Sequence, residues 1–154
     1  MPNTYTQIHI HAVFVVQSKE CIIAPKWEEE LYKYIMGIIK ANKHKPLVIN
    51  GTANHIHILF GMRPSQSLSD LMQDIKGNSS KWINEKKFLK GRFAWQEGYG
   101  AFSYSKSQLP VLINYINNQK VHHRKKKFLE EYVELLESFG IEYDKRFIFK
   151  DVEV

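Results

Sequence analysis

The chain has 154 residues, of which 44% are hydrophobic and 25% are charged. This length suits one domain with a buried core, and the near-average composition excludes a disordered chain or a collagen-like repeat. No apolar run approaches the ~18 residues that a membrane span requires, so no membrane contact is expected. Lysine and arginine number 22 against 16 acidic residues, a net charge of +6. Such a basic domain often binds nucleic acid, although +6 is also an ordinary charge for solubility.

Two features predict a cytoplasmic location. The first residues, MPNTYTQIHIH, lack the charged start and the apolar stretch of a secretory signal. The single cysteine, Cys21, cannot form an internal disulfide or a cysteine-rich zinc site, as expected in a reducing compartment.

The first half of the chain predicts a strand, a helix and a hairpin. Residues 5–16 are rich in β-branched and aromatic side chains and become continuously apolar, which predicts a strand with a buried end. After Pro25, apolar side chains at helical spacing and three early glutamates predict a helix over residues 26–43. Two short apolar runs, 46–50 and 55–62, predict the hairpin.

The second half predicts further helices and one more strand. An amphipathic pattern covers residues 68–86, and residues 99–105 suit a fourth strand. A third helix, capped by Ser107, is expected to carry VLINYINNQKVHHRKKK without a break. Another helix over residues 128–139 is expected to end at a glycine, and the tail after it to be extended.

The order of the first six elements predicts the fold class. Strand, helix, strand, strand, helix, strand is the ferredoxin-like βαββαβ arrangement, an α+β antiparallel sheet with helices on one face. An added C-terminal helix follows it. Residues 1–154 are expected to form this single domain, and the fold alone does not define a function.

Two His-x-His pairs, His9/His11 and His55/His57, are candidates for a metal site. Residues i and i+2 of a strand point to the same face, so each pair can present two imidazoles side by side. Such a pair alone is more often an ordinary exposed or hydrogen-bonded pair than a metal site. His55 and His57 lie among apolar residues, where buried imidazoles need partners, and a metal supplies one.

The predicted third helix carries two further candidates, Tyr115 and Gln119. Because they are four residues apart, they share one face of the helix. A tyrosine hydroxyl can act as a nucleophile, and a glutamine oxygen can bind a metal. The spacing alone favours the simpler alternative, in which the tyrosine packs and the glutamine is solvated.

Several segments together resemble the single-tyrosine transposases of bacterial insertion sequences, which carry a His-hydrophobe-His (HUH) motif. The matching segments keep the family's order and spacing from about His11 to Arg124. They are KGNSSK (76–81), NHIHIL (54–59), WQEGYGAFS (95–103), the pattern from Val111 through YINNQ (115–119), and His122-His123.

The resemblance implies a function and assigns residues to it. Proteins of this family cut and rejoin single-stranded DNA as homodimers, through a 5′-phosphotyrosine, with Mg²⁺ or Mn²⁺ and no nucleotide cofactor. His55 and His57 match the metal-binding histidines, Gln119 matches the third ligand and Tyr115 matches the nucleophile. His11 matches a common first-strand histidine, interpreted here as structural.

The expected site lacks a carboxylate ligand and an assigned general base. Its ligands are two imidazoles and one amide oxygen, with no carboxylate among them, so water and phosphate would complete the coordination. No residue can be assigned from sequence as the general base for the tyrosine. His9 matches no ligand of the family.

The basic segments predict a DNA surface. The predicted DNA-binding residues are Lys76, Ser79, Ser80, Lys81, Arg92, Arg124 and Lys125. Aromatic residues lie among the first of these, and unpaired bases stack on such rings. They are Trp82, Phe88, Phe93, Trp95 and Tyr99. The alternative is that the rings belong to the core, which Trp82 suits best by its helical spacing.

Single-stranded or hairpin DNA is therefore the expected partner, and two other functions stay open. One is a related nickase, or a domesticated relative acting on chromosomal hairpin repeats with the same residues. The other is a non-catalytic nucleic-acid-binding module.

The resemblance implies a homodimer, and physical reasons agree with it. A sheet covered on one face leaves its other face or an edge in need of cover, and the apolar run at 10–16 belongs to such a strand. Transposition must also hold two DNA ends at once, which a two-fold dimer allows.

Overall fold

The computed structural model describes residues 3–154 and contains a ferredoxin-like core followed by three helices. The elements are β1 (His9–Val15), α1 (Pro25–Ala41), β2 (Lys45–Gly51), β3 (His55–Gly61), α2 (Leu68–Lys86), β4 (Gly100–Tyr104), α3 (Leu109–Asn117), α4 (Gln119–His122) and α5 (Phe128–Ser138). The strands form one antiparallel sheet in the order β2-β3-β1-β4. The α+β prediction is confirmed.

Strand β1 occupies the centre of this sheet. It pairs with β3 on one side and with β4 on the other, so both of its edges are hydrogen-bonded. Its residues from His11 to Val15 are all buried, which explains the continuous apolar run. The expectation that this strand needs a partner molecule is therefore wrong, because β3 and β4 already supply both neighbours.

Helices cover both faces of the sheet. Ile56, Ile58 and Phe60 of β3 pack with α1 and α2 in the main core. On the opposite face, Leu59 packs against Leu112 and Ile116 of α3. Because α3, α4 and α5 cover this second face within one chain, an uncovered sheet face no longer supports a dimer.

The third predicted helix differs from expectation at its start. A short 3-10 turn over Lys106–Gln108 precedes α3, and Ser105 rather than Ser107 forms its capping box. The side chain of Gln108 accepts a hydrogen bond from the Ser105 amide at 2.9 Å, which satisfies a backbone donor at the helix start.

This helix also breaks in its middle. Helix α3 ends at Asn117, and α4 covers only Gln119–His122 before the chain turns into α5. The side-chain amide of Asn50 on β2 donates to the carbonyls of Ile116 and Asn117, at 2.9 and 3.1 Å. These carbonyls thus find a partner outside the helix, which stabilises the break.

The segment after α5 forms neither a helix nor a strand, although an extended tail was expected. It packs on the core through the buried side chains of Phe149 and Val152. Gln96 bonds both backbone groups of Lys150, at 2.9 and 2.7 Å. Among the described helices, none is long and apolar enough to cross a bilayer.

Replacing Gly51 by alanine should destabilise the protein, since an added Cβ would collide with the backbone oxygen of His55 and lie 3.0 Å from Cα of Ile56. Overpacking of this kind costs about 1–3 kcal/mol in the free energy of unfolding. Gly37 in α1 is the control, because its Cβ would meet nothing within 4 Å. Alanine there should stabilise the helix by about 0.5–1 kcal/mol. Urea unfolding measures both, and equal effects would contradict the close approach at Gly51.

Candidate active site

Two histidines of β3 belong to a buried cluster of polar side chains. His55 and His57 are both 0% exposed, and their ring centroids lie 5.1 Å apart. They share one face of the sheet because they are two residues apart on a strand. The two imidazoles therefore meet side by side, as the His-x-His spacing predicts.

Helices α3 and α4 bring the other two predicted residues to this cluster. Gln119 is fully buried, and its Oε1 lies 2.9 Å from Nε2 of His55. The ring of Tyr115 lies edge-on to His57 of the same chain, with centroids 5.9 Å apart. The structure thus places all four predicted residues in contact.

Glu131 of α5 is a member of the cluster that the sequence analysis missed. Its Oε1 lies 3.1 Å from Nε2 of His57 and 2.9 Å from Nε2 of His123. Its Oε2 accepts hydrogen bonds from the Gln119 amide, at 2.9 Å, and from the Tyr115 hydroxyl. The expectation of a site without a carboxylate is therefore wrong, and an acceptor lies at the tyrosine hydroxyl.

A signal for Glu131 was present in the pattern of α5. The buried residues of this helix are Phe128, Glu131, Tyr132 and Leu136. They recur at three- and four-residue spacing and define the face that packs on the core. A glutamate on such an apolar face requires a polar partner, but the sequence does not reveal which one.

The donor atoms of the cluster fit a divalent cation. One ligand atom from each of His55, His57, His123 and Glu131 lies within 4.8 Å of all the others. The Asn54 amide donates to the Val152 carbonyl, so its Oδ1 faces Nδ1 of His55 at 2.7 Å and requires a proton there.

The neutral His55 ring then presents a lone pair at Nε2. This lone pair faces the Gln119 Oε1, and two acceptor atoms 2.9 Å apart repel each other unless a cation is shared between them.

Burial controls the protonation of the cluster. It lowers the pKa of His55 well below its usual value and that of His57 to about 3, so both rings are neutral and offer lone pairs. Burial, with a smaller effect from Glu134, raises the pKa of Glu131 to about 8. A bound cation would favour the ionised carboxylate.

His11 supports the cluster from the neighbouring strand. Its Nε2 lies 2.7 Å from Nδ1 of His57, and the two rings stack at 5.0 Å. A hydrogen bond to the far nitrogen fixes the orientation of a ligating imidazole and is typical of metal sites. His9 lies two residues away on β1 and is half-buried.

Tyr115 lies beside an opening to the solvent. A surface pocket of about 270 Å³ is lined by Tyr115, His122, Glu131, Glu134, Leu135 and Ser138. The side chain of Tyr115 is itself only partly buried. The tyrosine side chain is therefore partly accessible from the solvent.

Two predicted DNA contacts have structural partners instead. Ser79 is 0% exposed, and its hydroxyl accepts a hydrogen bond from the indole of Trp95 at 3.0 Å. The Lys76 ammonium donates to the carbonyls of Gln96 and Gly98, at 2.7 and 2.5 Å. The assignment of Ser79 to DNA is therefore wrong, because its side chain is buried, and Lys76 holds the 96–98 loop.

The other predicted contacts lie at the surface in two groups. Lys81 and Arg92 are exposed and line a shallow groove along α2, together with Ser80, whose hydroxyl donates to the Phe93 carbonyl at 3.2 Å. Arg124 and Lys125 are exposed in the turn between α4 and α5. These four cations remain available to a polyanion.

Most of the expected stacking rings are used in packing. Phe93 and Trp95 are buried in the core. Trp82 stacks on Tyr34 with ring centroids 4.7 Å apart, as its assignment to the core predicted. Phe88 likewise stacks on Trp27, at 4.8 Å. A base cannot occupy these ring faces without displacing their protein partners.

Comparison with known proteins agrees with the fold. The model of the family described as "Transposase IS200 like" matches residues 4–119, and the chain belongs to this family. It is a transposase of the single-tyrosine HUH class. No curated protein matches the chain significantly.

Two solved structures share the fold. One is a candidate transposase from Deinococcus radiodurans R1, with 18% identity and a TM-score of 0.61 over 76% of this chain and 94% of that one. The other is a REP-associated tyrosine transposase bound to a REP hairpin. It has 13% identity and a TM-score of 0.60 over 79% of this chain and 72% of that one.

Replacing both Lys81 and Arg92 by alanine should weaken single-stranded DNA binding and its salt dependence. The slope of log K against log salt changes by about 0.7 for each phosphate that the protein no longer neutralises.

Ser79→Ala should keep the slope but lower the free energy of unfolding by about 1–3 kcal/mol, because the Trp95 indole loses its acceptor. Fluorescence anisotropy at several salt concentrations and urea unfolding measure these effects. A reduced slope with unchanged stability in Ser79→Ala would contradict its structural role.

Proposed function

We propose that this transposase cuts and rejoins single-stranded DNA through a 5′-phosphotyrosine on Tyr115. The observation that carries the proposal is the contact of the Tyr115 hydroxyl with Glu131, beside the buried pair His55 and His57. Because the carboxylate comes from α5, beyond the segment that the family model matches, residues 1–154 act in this proposal as one catalytic domain.

His55, His57 and Gln119 are the proposed residues that hold a divalent cation, Mg²⁺ or Mn²⁺ by family resemblance. When bound, the cation supplies Lewis-acid activation of the phosphate. Imidazole ligands suit Mn²⁺ as well as Co²⁺ and Zn²⁺. The protein orients its donor atoms through the Asn54 contact to His55 and the His11 contact to His57.

In the proposed reaction, the Tyr115 hydroxyl oxygen bonds to phosphorus and the bond from phosphorus to the 3′ oxygen breaks. The hydroxyl proton passes to Oε2 of Glu131, which already accepts a hydrogen bond from it. The departing 3′ oxygen takes up a proton from solvent water and leaves as a hydroxyl group. A second 3′-hydroxyl can reverse these steps on the phosphotyrosine, which joins a new strand without ATP.

The proposed DNA partner is single-stranded or hairpin DNA. The exposed cations Lys81, Arg92, Arg124 and Lys125 support binding to a polyanion. The structural neighbour is bound to a REP hairpin, which favours a hairpin as the target. The same observation keeps open the second candidate function, in which the enzyme acts on chromosomal hairpin repeats.

The assembled cluster argues against a module without catalysis.

Homodimer formation and a cytoplasmic location stay predictions. Tyr115 contacts His57 and Glu131 of its own chain, so these contacts do not depend on a partner subunit.

Tyr115→Phe should abolish the covalent DNA adduct, because only the attacking hydroxyl is removed. DNA affinity should stay within about twofold of the unmodified protein, since the exposed cations are unchanged. Incubation with single-stranded element ends and Mn²⁺, followed by denaturing gel electrophoresis, detects the adduct. Tyr104→Phe is the matched control, a half-buried tyrosine on β4. An adduct that survives Tyr115→Phe and disappears in Tyr104→Phe would identify Tyr104 as the nucleophile.

His57→Ala should lose Mn²⁺ binding and DNA cleavage together, because it removes a buried donor atom from the cluster. His9→Ala, on β1, should retain both. Isothermal titration with Mn²⁺ measures the affinity, and circular dichroism checks that each variant is folded. Normal cleavage by a folded His57→Ala protein would exclude the proposed metal site.

A further inference from the structure

Glu131 lies outside the part of the chain that the family comparison explains. The match ends at residue 119, whereas α5 spans Phe128–Ser138. The packing of α5 nevertheless places the carboxyl group at 2% exposure inside the histidine cluster. Tyr132 anchors the helix against the sheet, because a Cβ added at Gly100 would lie 2.6 Å from its ring and its hydroxyl.

The two oxygens of this carboxyl group face different partners. Oε1 faces imidazole nitrogens, those of His57 and His123 at 3.1 and 2.9 Å and that of His55 at 3.8 Å. Oε2 accepts hydrogen bonds from the Tyr115 hydroxyl and the Gln119 amide, and Nε2 of His122 lies 3.6 Å from it. One side of the group thus belongs to the donor cluster and the other side to the nucleophile.

The ionised form of this carboxyl group needs a compensating positive charge. A buried ionised carboxylate is costly unless charge and hydrogen bonds compensate it. Among residues 3–154, no lysine or arginine makes a hydrogen bond or an ion pair with Glu131. Its neighbours are imidazoles, a phenol and an amide. A divalent ion in the cluster would supply the missing positive charge.

We propose that Glu131 is a metal ligand through Oε1 and that it positions the Tyr115 hydroxyl through Oε2, so that one carboxylate links the cation to the nucleophile. The inference rests on the proposed function and deepens it. A carboxylate oxygen is the ligand type that Mg²⁺ and Mn²⁺ prefer, and the other predicted ligands do not include one. The C-terminal helix thereby completes the site.

Mn²⁺ binding without DNA tests the ligand role. Glu131→Gln keeps the size of the side chain and removes its charge, so Mn²⁺ affinity in isothermal titration should fall at least about tenfold. Glu137→Gln is the matched control on the same helix, an exposed glutamate that accepts a hydrogen bond from Tyr143, and it should stay within about twofold. Glu131→Asp retains a carboxylate and should bind Mn²⁺ more tightly than Glu131→Gln.

The adduct assay at saturating Mn²⁺ tests the positioning role. Glu131→Gln should form the phosphotyrosine at least about tenfold more slowly than Glu137→Gln, because the hydroxyl of Tyr115 has lost its carboxylate acceptor. Equal Mn²⁺ affinity of folded Glu131→Gln and Glu137→Gln proteins would overturn the ligand role. Equal adduct rates at saturation would overturn the positioning role.

The same experiments distinguish a failure of the proposed phosphotyrosine reaction from a failure of the proposed metal site. If the unmodified protein binds Mn²⁺ and Glu131→Gln weakens it, but no variant forms an adduct, the metal site stands and the phosphotyrosine reaction is wrong. If the unmodified protein binds no Mn²⁺, both the proposed metal and the ligand role of Glu131 are wrong.

Discussion

Two fully buried imidazoles at the centre of a sheet impose the main constraint on this molecule. Buried polar groups must be hydrogen-bonded or bound to a cation, and each ring of His55 and His57 has two nitrogens to satisfy. The protein satisfies the Nδ1 atoms from the sheet and its turns, through Asn54 and His11. The Nε2 atoms are left facing Gln119 and Glu131, on the elements that follow the ferredoxin-like core.

Polar contacts to the hairpin and to α1 stabilise the course of the chain after β4. A continuous helix was expected there, yet the chain breaks at Asn118 and turns before α5. The side chain of Asn50 bonds the carbonyls at the break, and the Lys120 ammonium bonds Asn50 in turn, at 2.9 Å. Lys120 also pairs with Glu28 of α1 at 3.0 Å. These contacts tie the segment that carries the proposed nucleophile, Tyr115, to the hairpin that carries the histidines.

Sequence patterns predicted the parts of this arrangement that depend on short-range periodicity. The alternation in β3 predicted that His55 and His57 share a face, and the four-residue spacing predicted the same for Tyr115 and Gln119. The βαββαβ order likewise follows from local patterns. The family resemblance was needed to bring the two pairs together, because no local pattern states which helix covers which strand.

What the sequence could not predict depends on long-range packing. Glu131 is 74 residues from His57, and its role is visible only once α5 lies over the sheet. Ser79 occupies a plausible surface position on α2, but the Trp95 loop folds over it and uses its hydroxyl. The same loop also fixes the side chain of Lys76, because the Gln96 carbonyl accepts a hydrogen bond from its ammonium group. Charge and spacing predict which side chains of a helix are exposed only where no later segment of the chain covers that helix.

The composition of the site limits what a second subunit can contribute. The imidazoles come from β3, the hydroxyl from α3, the amide from α4 and the carboxylate from α5, all in one chain. A partner that donated its own tyrosine would have to displace Tyr115 from Glu131 and from the edge of His57. In this arrangement a dimer is not required to complete the constellation. Its physical advantage would lie in holding two DNA ends in a fixed relation, which one small domain cannot do.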